Sequence, residues 1–311
     1  MVGAGAIGGV LAALAADRGH DVTVCVRTPF DDLRVTAGGV ERGVPVRVVT
    51  DPAEVGPAHW VVLATKVQDT ASAAGWLGAL TEPGGVVVVA QNGVDHAERV
   101  DGAVDPAATV LPAVVNLGAE AVAPGRIVHH GYARLTVPAG SAARGLAALY
   151  GADPDDGAPG AEGGLAVVAT DDFPTVAWRK LLSNAVANPV TALTGRRAVV
   201  LQEAATRELV VGLAREVVAV GRAVGAALGD DDVDALVAHF EGMPAELGTS
   251  MLYDRQAGRP LEHEHLTGAV VAAGGRTGVP TPLNTAVLAL LRGVVGPNGQ
   301  VDRPTARADG A

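Results

Sequence analysis

The chain has 311 residues, 49% of them hydrophobic and 18% charged, with a formal net charge of −11. That length accommodates two domains with separate cores, the composition argues against disorder over most of the chain, and the acidic balance argues against nucleic-acid binding, whose affinity comes from clustered Lys and Arg. The single cysteine, Cys25, rules out an intrachain disulfide framework, and with no signal-peptide pattern and no run of about 18 apolar residues the expectation is a soluble, cytoplasmic protein without a membrane partner.

The chain opens on Gly3-Ala4-Gly5-Ala6-Ile7-Gly8, which fits Gly-x-Gly-x-x-Gly. In that pattern the first glycine permits a tight turn, the second lets a pyrophosphate approach the backbone, and the third packs helix against strand. A helix expected from Ile7 to Arg18 would aim its bare N–H groups at the anion. Only Met1 and Val2 precede the turn, whereas a buried strand usually has about five residues. The first strand is therefore expected to be cut short, or the start to be assigned too far downstream. The next apolar run, Val22 to Val26, leads into Arg27, near the point about 20 residues on where an NAD site carries an acid for the ribose hydroxyls. An arginine suits the 2′-phosphate of NADP instead, because a guanidinium fork matches phosphate geometry. A solvated strand-end arginine is the plainer account, and Asp31 and Asp32 stand close by.

Further apolar runs follow at Trp60 to Ala64 and Val86 to Ala90, with a helical pattern from Thr70 to Leu80 between them. Short β-branched runs of this kind read as strands buried on both faces, and their alternation with helices predicts an α/β fold with a doubly wound parallel sheet of Rossmann type. Ligands bind at the carboxyl ends of such strands. Lys66 and the triplet Gln91-Asn92-Gly93 fall there: the lysine could meet ribose or phosphate, and an amide could hold a nicotinamide in register, although Asn-Gly alone is simply a turn.

The stretch from Gly151 to Gly164 is rich in Gly, Pro and Asp and lacks periodicity, so a flexible surface loop is expected. After the run Leu165 to Ala169 the pattern turns helical, over Phe173 to Leu193, Ala198 to Leu228, Asp232 to Phe240, Ala245 to Ala257 and Glu262 to Gly274. The expected organisation is a dinucleotide-binding domain over 1–169, an all-helical domain over 170–296 and a frayed tail over 297–311. An apolar helical domain commonly pairs with a copy of itself, which would give a homodimer, but sequence leaves the oligomeric state open.

Within the first of those helices, Lys180, Asn184 and Asn188 are spaced by four among mostly apolar neighbours, which puts all three on one face. A buried ammonium or amide is costly without a partner, and a substrate with carboxylate and hydroxyl groups would supply one. A lysine also suits carbonyl reduction, since it can polarise the carbonyl oxygen and protonate it as negative charge develops. A lysine that snorkels to solvent, with asparagines bridging helices, accounts for the stripe equally well. Downstream, Ser250-Met251 precedes Glu262 at an expected helix start, where first-turn charge is the commoner role of a lone Glu. His263 and His265 alternate with Glu262 and Glu264, a spacing that does not share a helix face and is not H-E-x-x-H, so no metal is expected.

Taken in order, the glycine turn, Lys66, Gln91-Asn92-Gly93, the run Trp178-Arg179-Lys180 to Asn188-Pro189, and Ser250-Met251 followed by Glu262 resemble the ketopantoate reductase (2-dehydropantoate 2-reductase) family over nearly the whole chain. The resemblance implies an oxidoreductase that uses NADPH to reduce 2-dehydropantoate to pantoate, with hydride passing to the C2 carbonyl of a substrate held in a cleft against the helical domain, for pantothenate biosynthesis. It implies that Lys180 is the catalytic proton donor and that Glu262 lies close to the lysine and the nicotinamide ribose. Asn184, Asn188 and Ser250 would bind substrate, with Ser250 near its carboxylate. Arg27, Lys66 and Asn92 would contact the cofactor alongside Gly3, Ala4, Gly5, Ala6, Ile7 and Gly8, and Ala119 would contribute a backbone contact by a looser alignment. The sequence departs from the family in its short first strand and in a 151–164 loop longer than the family needs. An NADP-dependent reductase of another small 2-oxo or hydroxy acid, and a non-catalytic NADP-binding regulatory protein, remain as alternatives.

Overall fold

Val86 to Val89 are four consecutive valines, all buried, and their side chains alternate between two different cores. Val86 and Val88 pack with Val62, Leu111 and Leu146, while Val87 and Val89 pack with Val61, Leu63 and Leu77. A strand apolar on both faces belongs in the middle of a covered parallel sheet, and that is its place in the computed structural model, which describes residues 1–152, 164–296 and 301–302. The chain divides into two units, Met1–Phe173 and Pro174–Ala311.

The first unit begins with helix α1 (Ala6–Ala16), then strands β1 (Thr23–Cys25), β2 (Leu33–Ala37), β3 (Val40–Val44), β4 (Arg47–Val49) and β5 (Trp60–Leu63). Helix α2 (Ala74–Leu80), β6 (Val86–Val89), the short α3 (His96–Val100), β7 (Thr109–Pro112), β8 (Val114–Ala123), β9 (Arg126–Pro138), α4 (Ser141–Tyr150) and β10 (Leu165–Thr170) complete it. β5, β6 and β7 are parallel neighbours, as are β1 and β4. Val2 joins the two groups through parallel bridges to Cys25 and Leu63. Its N–H donates to Val62 O at 2.8 Å and its carbonyl accepts from Ala64 N at 2.8 Å, so the two residues before the glycine turn fill the central strand position. The α/β parallel-sheet reading holds.

A second sheet, running β10-β9-β2-β3 with β8 also paired to β9, mixes parallel and antiparallel pairs. Much of it is half-solvated: only Val44 is buried in β3, and the outer end of β8 is exposed. The helix expected from Thr70 to Leu80 is α-helical only from Ala74; tight turns occupy Val67–Asp69 and Ala71–Ala73. Thr70 explains the delay, because its hydroxyl donates to Val67 O at 2.7 Å, a local bond that competes with helix. The expected 151–164 loop lies outside the described residues except at its two ends.

The second unit is helical: α5 (Phe173–Thr194), α6 (Val199–Gln202), α7 (Ala204–Ala223), α8 (Asp230–Glu241), α9 (Ser250–Ala257), α10 (Thr267–Thr277) and α11 (Pro282–Val294). Three expected helices are corrected. The segment 198–228 breaks at Glu203, whose backbone is extended (φ −77°, ψ 142°), and ends before Gly225, which takes φ +96°. The helix expected from Ala245 starts only at Ser250, where Thr249 caps it by accepting from Leu252 N. The helix expected from Glu262 starts at Thr267, because Leu266 has non-helical backbone angles (φ −107°, ψ −84°) and residues 263–266 form a turn. α11, opened by Pro282 at its first position, was not among the expected elements. Of the expected tail, only Val301 and Asp302 are described; Val301 is buried and bridges to Val295. No described helix is long and apolar enough to cross a membrane.

Candidate active site

In the first unit the candidate ligand seat is made of backbone. Gly3 sits at φ +90°, a conformation that favours glycine, and a Cβ there would lie 2.9 Å from Thr65 N. A Cβ on Gly8 would fall 2.0 Å from Gly3 O and 3.1 Å from the Ala64 side chain, so the third glycine brings helix and strand together. A Cβ on Gly5 would meet nothing within 4 Å. That empty approach lies at the N-cap of α1, where no described side chain caps the helix and its first turn holds no acid. The amides of the first turn, Ala6 and Ile7 among them, lack intrahelical acceptors, and the helix end carries partial positive charge. A pyrophosphate fits these requirements.

Around this turn, Ala4 and Ala119 pack against one apolar cluster that includes Val24, Leu33 and Ile127; Ala119 stands at an irregularity in β8. Lys66 and Asn92, both half-buried, follow β5 and β6. Arg27 follows β1 with its side chain 79% exposed and pairs with Asp69 at 3.3 Å. Asp32 is engaged elsewhere: Arg34 at 2.6 Å and Arg126 at 2.7 Å hold its carboxyl below the usual carboxylate range, the Arg126 hydrogen bond contributing most. Of the two amides in Gln91-Asn92-Gly93, Gln91 is turned inward, 3% exposed and bonded to Thr65. Asn92 is the amide left toward the surface.

The second unit builds its candidate seat from side chains. Lys180, Asn184 and Asn188 occupy successive turns of α5, about 6 Å apart along its axis. Lys180 and Asn184 are half-buried and Asn188 is 4% exposed. Burial pulls the Lys180 ammonium below the usual lysine value. The side-chain oxygen of Asn188, Oδ1, accepts from Ser250 Oγ at 3.2 Å and from Met251 N at 3.1 Å, so two sequence candidates 62 residues apart meet. Glu262 is buried in the turn before α10, and its carbonyl accepts from the N–H groups of His265 and Leu266. Because it precedes the helix, first-turn charge does not explain its carboxylate. Among the described residues no group of three or more His, Cys, Asp or Glu is placed to hold a metal; Glu264 is taken by Arg292 at 2.6 Å and 2.8 Å.

Comparison with known proteins separates what this geometry leaves general. Residues 1–142 match the family model described as Ketopantoate reductase PanE/ApbA, and residues 172–295 match its C-terminal counterpart. A 2-dehydropantoate 2-reductase of Caulobacter vibrioides is 39% identical over 94% of this chain and 97% of its own length. The chain belongs to the ketopantoate reductase family. A PanE/ApbA family ketopantoate reductase from Ralstonia eutropha superposes with a TM-score of 0.83 at 29% identity, over 94% of this chain and 97% of that one. D-mandelate dehydrogenase, solved with NADH and anilino(oxo)acetate, shares the fold at a TM-score of 0.80 and 21% identity, over 94% of this chain and 98% of that one. The fold therefore does not by itself select one nicotinamide nucleotide or one 2-oxo acid.

Sequence reading missed the groups behind the first unit's loops. Arg99 has a side chain only 5% exposed and pairs with Asp95, and Thr65 and Thr70 both bond Gln91. The i, i+4 spacing of Asp95 and Arg99 was the available signal.

Proposed function

We propose that the chain reduces 2-dehydropantoate to pantoate with NADPH: 2-dehydropantoate + NADPH + H⁺ gives pantoate + NADP⁺. The observation that carries this reading is the row Lys180, Asn184, Asn188 on α5, with an ammonium whose proton burial has made easier to give up, in a chain of this family.

The glycine turn Gly3 to Gly8 would hold the pyrophosphate, Arg27 the 2′-phosphate, and Lys66, Asn92 and the Ala119 backbone the remaining parts of the nucleotide. The commitment of Asp32 to Arg34 and Arg126 supports NADPH over NADH, because it removes an acid that could take the ribose hydroxyls. When bound, the cofactor supplies hydride to the C2 carbonyl. Lys180 polarises the carbonyl oxygen, delivers its proton there as negative charge develops, and is left as a neutral amine that regains a proton from solvent. Ser250, exposed at the first turn of α9, would take the substrate carboxylate, where the positive helix end adds to the attraction. Asn184 and Asn188 would orient the hydroxyl and carbonyl, and Glu262 would accept a hydrogen bond from the ammonium and hold it in line.

The test is NADPH oxidation by the purified chain with ketopantoate and with 2-oxoisovalerate, which lacks the hydroxymethyl group, each repeated with NADH. Ketopantoate with NADPH should give the highest kcat/KM, because a site built to bond a hydroxyl rejects the analogue without it. Higher efficiency on another 2-oxo acid would make the chain a reductase of that acid. Tight NADPH binding with no turnover on any of them would make it a regulatory binder.

A further inference from the structure

The loops that carry Lys66 and Asn92 are tied together by one side chain. The amide nitrogen of Gln91 lies 3.0 Å from Thr65 O, 2.9 Å from Thr65 Oγ1 and 3.0 Å from Thr70 Oγ1, all on the loop after β5. Its amide oxygen accepts from Nη1 of Arg99 at 3.1 Å. Arg99 is held in turn by Asp95, and its Nε finds no partner among the described residues. His96 lies 3.1 Å through Nε2 from the Gln91 carbonyl oxygen, so this nitrogen carries the proton and the loop after β6 is pinned by backbone as well as side chain. The rings of His96 and Phe173, the last residue of the first unit, meet in an edge-type arrangement with centroids 5.9 Å apart.

This arrangement is expensive if it serves packing alone. A guanidinium withdrawn from water is costly unless its partners compensate, and a leucine at 91 with a methionine at 99 would fill similar space without that cost. The polar version adds geometry. An amide with donors and an acceptor at fixed angles sets the separation of two loops, whereas apolar contact leaves them free to slide. We infer that Gln91, locked by Arg99, is a positioning residue for the cofactor: it fixes the spacing of Lys66 and Asn92 and thereby the affinity for NADPH, without touching the nucleotide. This rests on the NADPH reading proposed above.

The full-length chain carrying Gln91→Leu should show amide hydrogen exchange at least about tenfold faster in both 65–70 and 91–95, with exchange in β9 unchanged. NADPH Kd should rise about tenfold or more, while KM for ketopantoate at saturating NADPH moves less than about twofold; a merely structural defect would lower Tm and leave this split absent. Arg99→Lys, which keeps the charge beside Asp95, should recover most of the affinity lost in Arg99→Met. If Gln91→Leu does not fold, Gln91→Glu, which keeps the acceptor for Arg99 but loses the donors, is read in the same way. Exchange in the two loops equal to wild type, or loosened loops with unchanged NADPH Kd, overturns the inference alone. A wild-type chain that binds neither NADPH nor NADH overturns the reading beneath it, and this inference with it.

Discussion

In the first unit the polar seat is a shape cut into backbone: Gly3, Gly5 and Gly8 matter for the Cβ atoms they lack. In the second it is a row of functional groups, Lys180, Asn184 and Asn188, standing on one helix whose interior also holds Pro189. The difference separates the expected effects of substitution. Adding a methyl group to the first unit should harm binding through space, and deleting a side chain from the second should harm chemistry while leaving binding of the nucleotide intact.

The strongest way to break that contrast is Lys180→Ala. If the ammonium donates the proton, kcat should fall by ~10² to 10⁴, or ~3 to 5 kcal/mol of barrier, with NADPH Kd within about twofold of wild type. Steady-state kinetics and fluorescence titration measure the two separately, and a variant with wild-type turnover would end the assignment. The same group dictates the pH profile. Burial lowers its pKa, so the proton is lost as pH rises through a value below the usual lysine figure of about 10.4, and kcat/KM for reduction should decline there.

Next in size is a pH effect confined to the first unit. Burial, with a smaller contribution from the Arg99 charge, lowers the His96 pKa to about 4, against about 6.5 unfolded. Between those values the unfolded chain takes up a proton that the folded chain does not, so stability falls as pH drops through the window, by about 3 kcal/mol in total. Urea unfolding of wild type and His96→Gln from pH 4.5 to 7 should converge at the acid end; curves that stay parallel would show that His96 is not the group responsible.

Glycine substitutions come third and probe the first unit's side of the contrast directly. Gly8→Ala drives a methyl into Gly3 O and should cost ~1 to 3 kcal/mol of stability as overpacking does. Gly5→Ala meets nothing in the chain, so its stability should stay within about 0.5 kcal/mol of wild type. Its NADPH Kd should nevertheless rise about tenfold, or ~1.4 kcal/mol. Equal NADPH binding by Gly5→Ala and wild type would mean that the space in front of α1 is not the pyrophosphate seat.

What could be read from sequence follows the same division. The glycine turn was legible because backbone constraint leaves its mark as residue identity, and the lysine row because a helix repeats it at i+4. The valine runs declared the parallel strands, since both their faces are buried. The mixed sheet was not legible: β3 and the outer end of β8 are largely exposed and carry no apolar alternation. Glu262 was placed on a helix because the apolar spacing of Leu266, Ala269 and Val270 extends backward to it, but the Leu266 backbone interrupts the helix first. That Gln91 turns inward while Asn92 faces outward was not legible, because the turn depends on Arg99 and Thr65, contacts that no local pattern reveals.

Arg27→Ala should have the smallest effect and draws the finest distinction. Its ion pair with Asp69 is solvent-exposed, and such pairs contribute ~0 to 1 kcal/mol, so Tm should hardly move. A charge-assisted hydrogen bond to phosphate is worth ~1.5 to 3 kcal/mol, so kcat/KM with NADPH should drop by ~10-fold or more while that with NADH stays put. Asp69 sharpens the comparison. Its carboxylate pairs with the guanidinium that the 2′-phosphate would claim, so Asp69→Asn should strengthen NADPH binding by a factor of a few and leave NADH unaffected. Loss of both cofactors in equal measure on Arg27→Ala would mean that the arginine serves the adenosine as a whole. The exposed strand end would then be a general platform, and the choice between NADPH and NADH would have to be made elsewhere in the first unit.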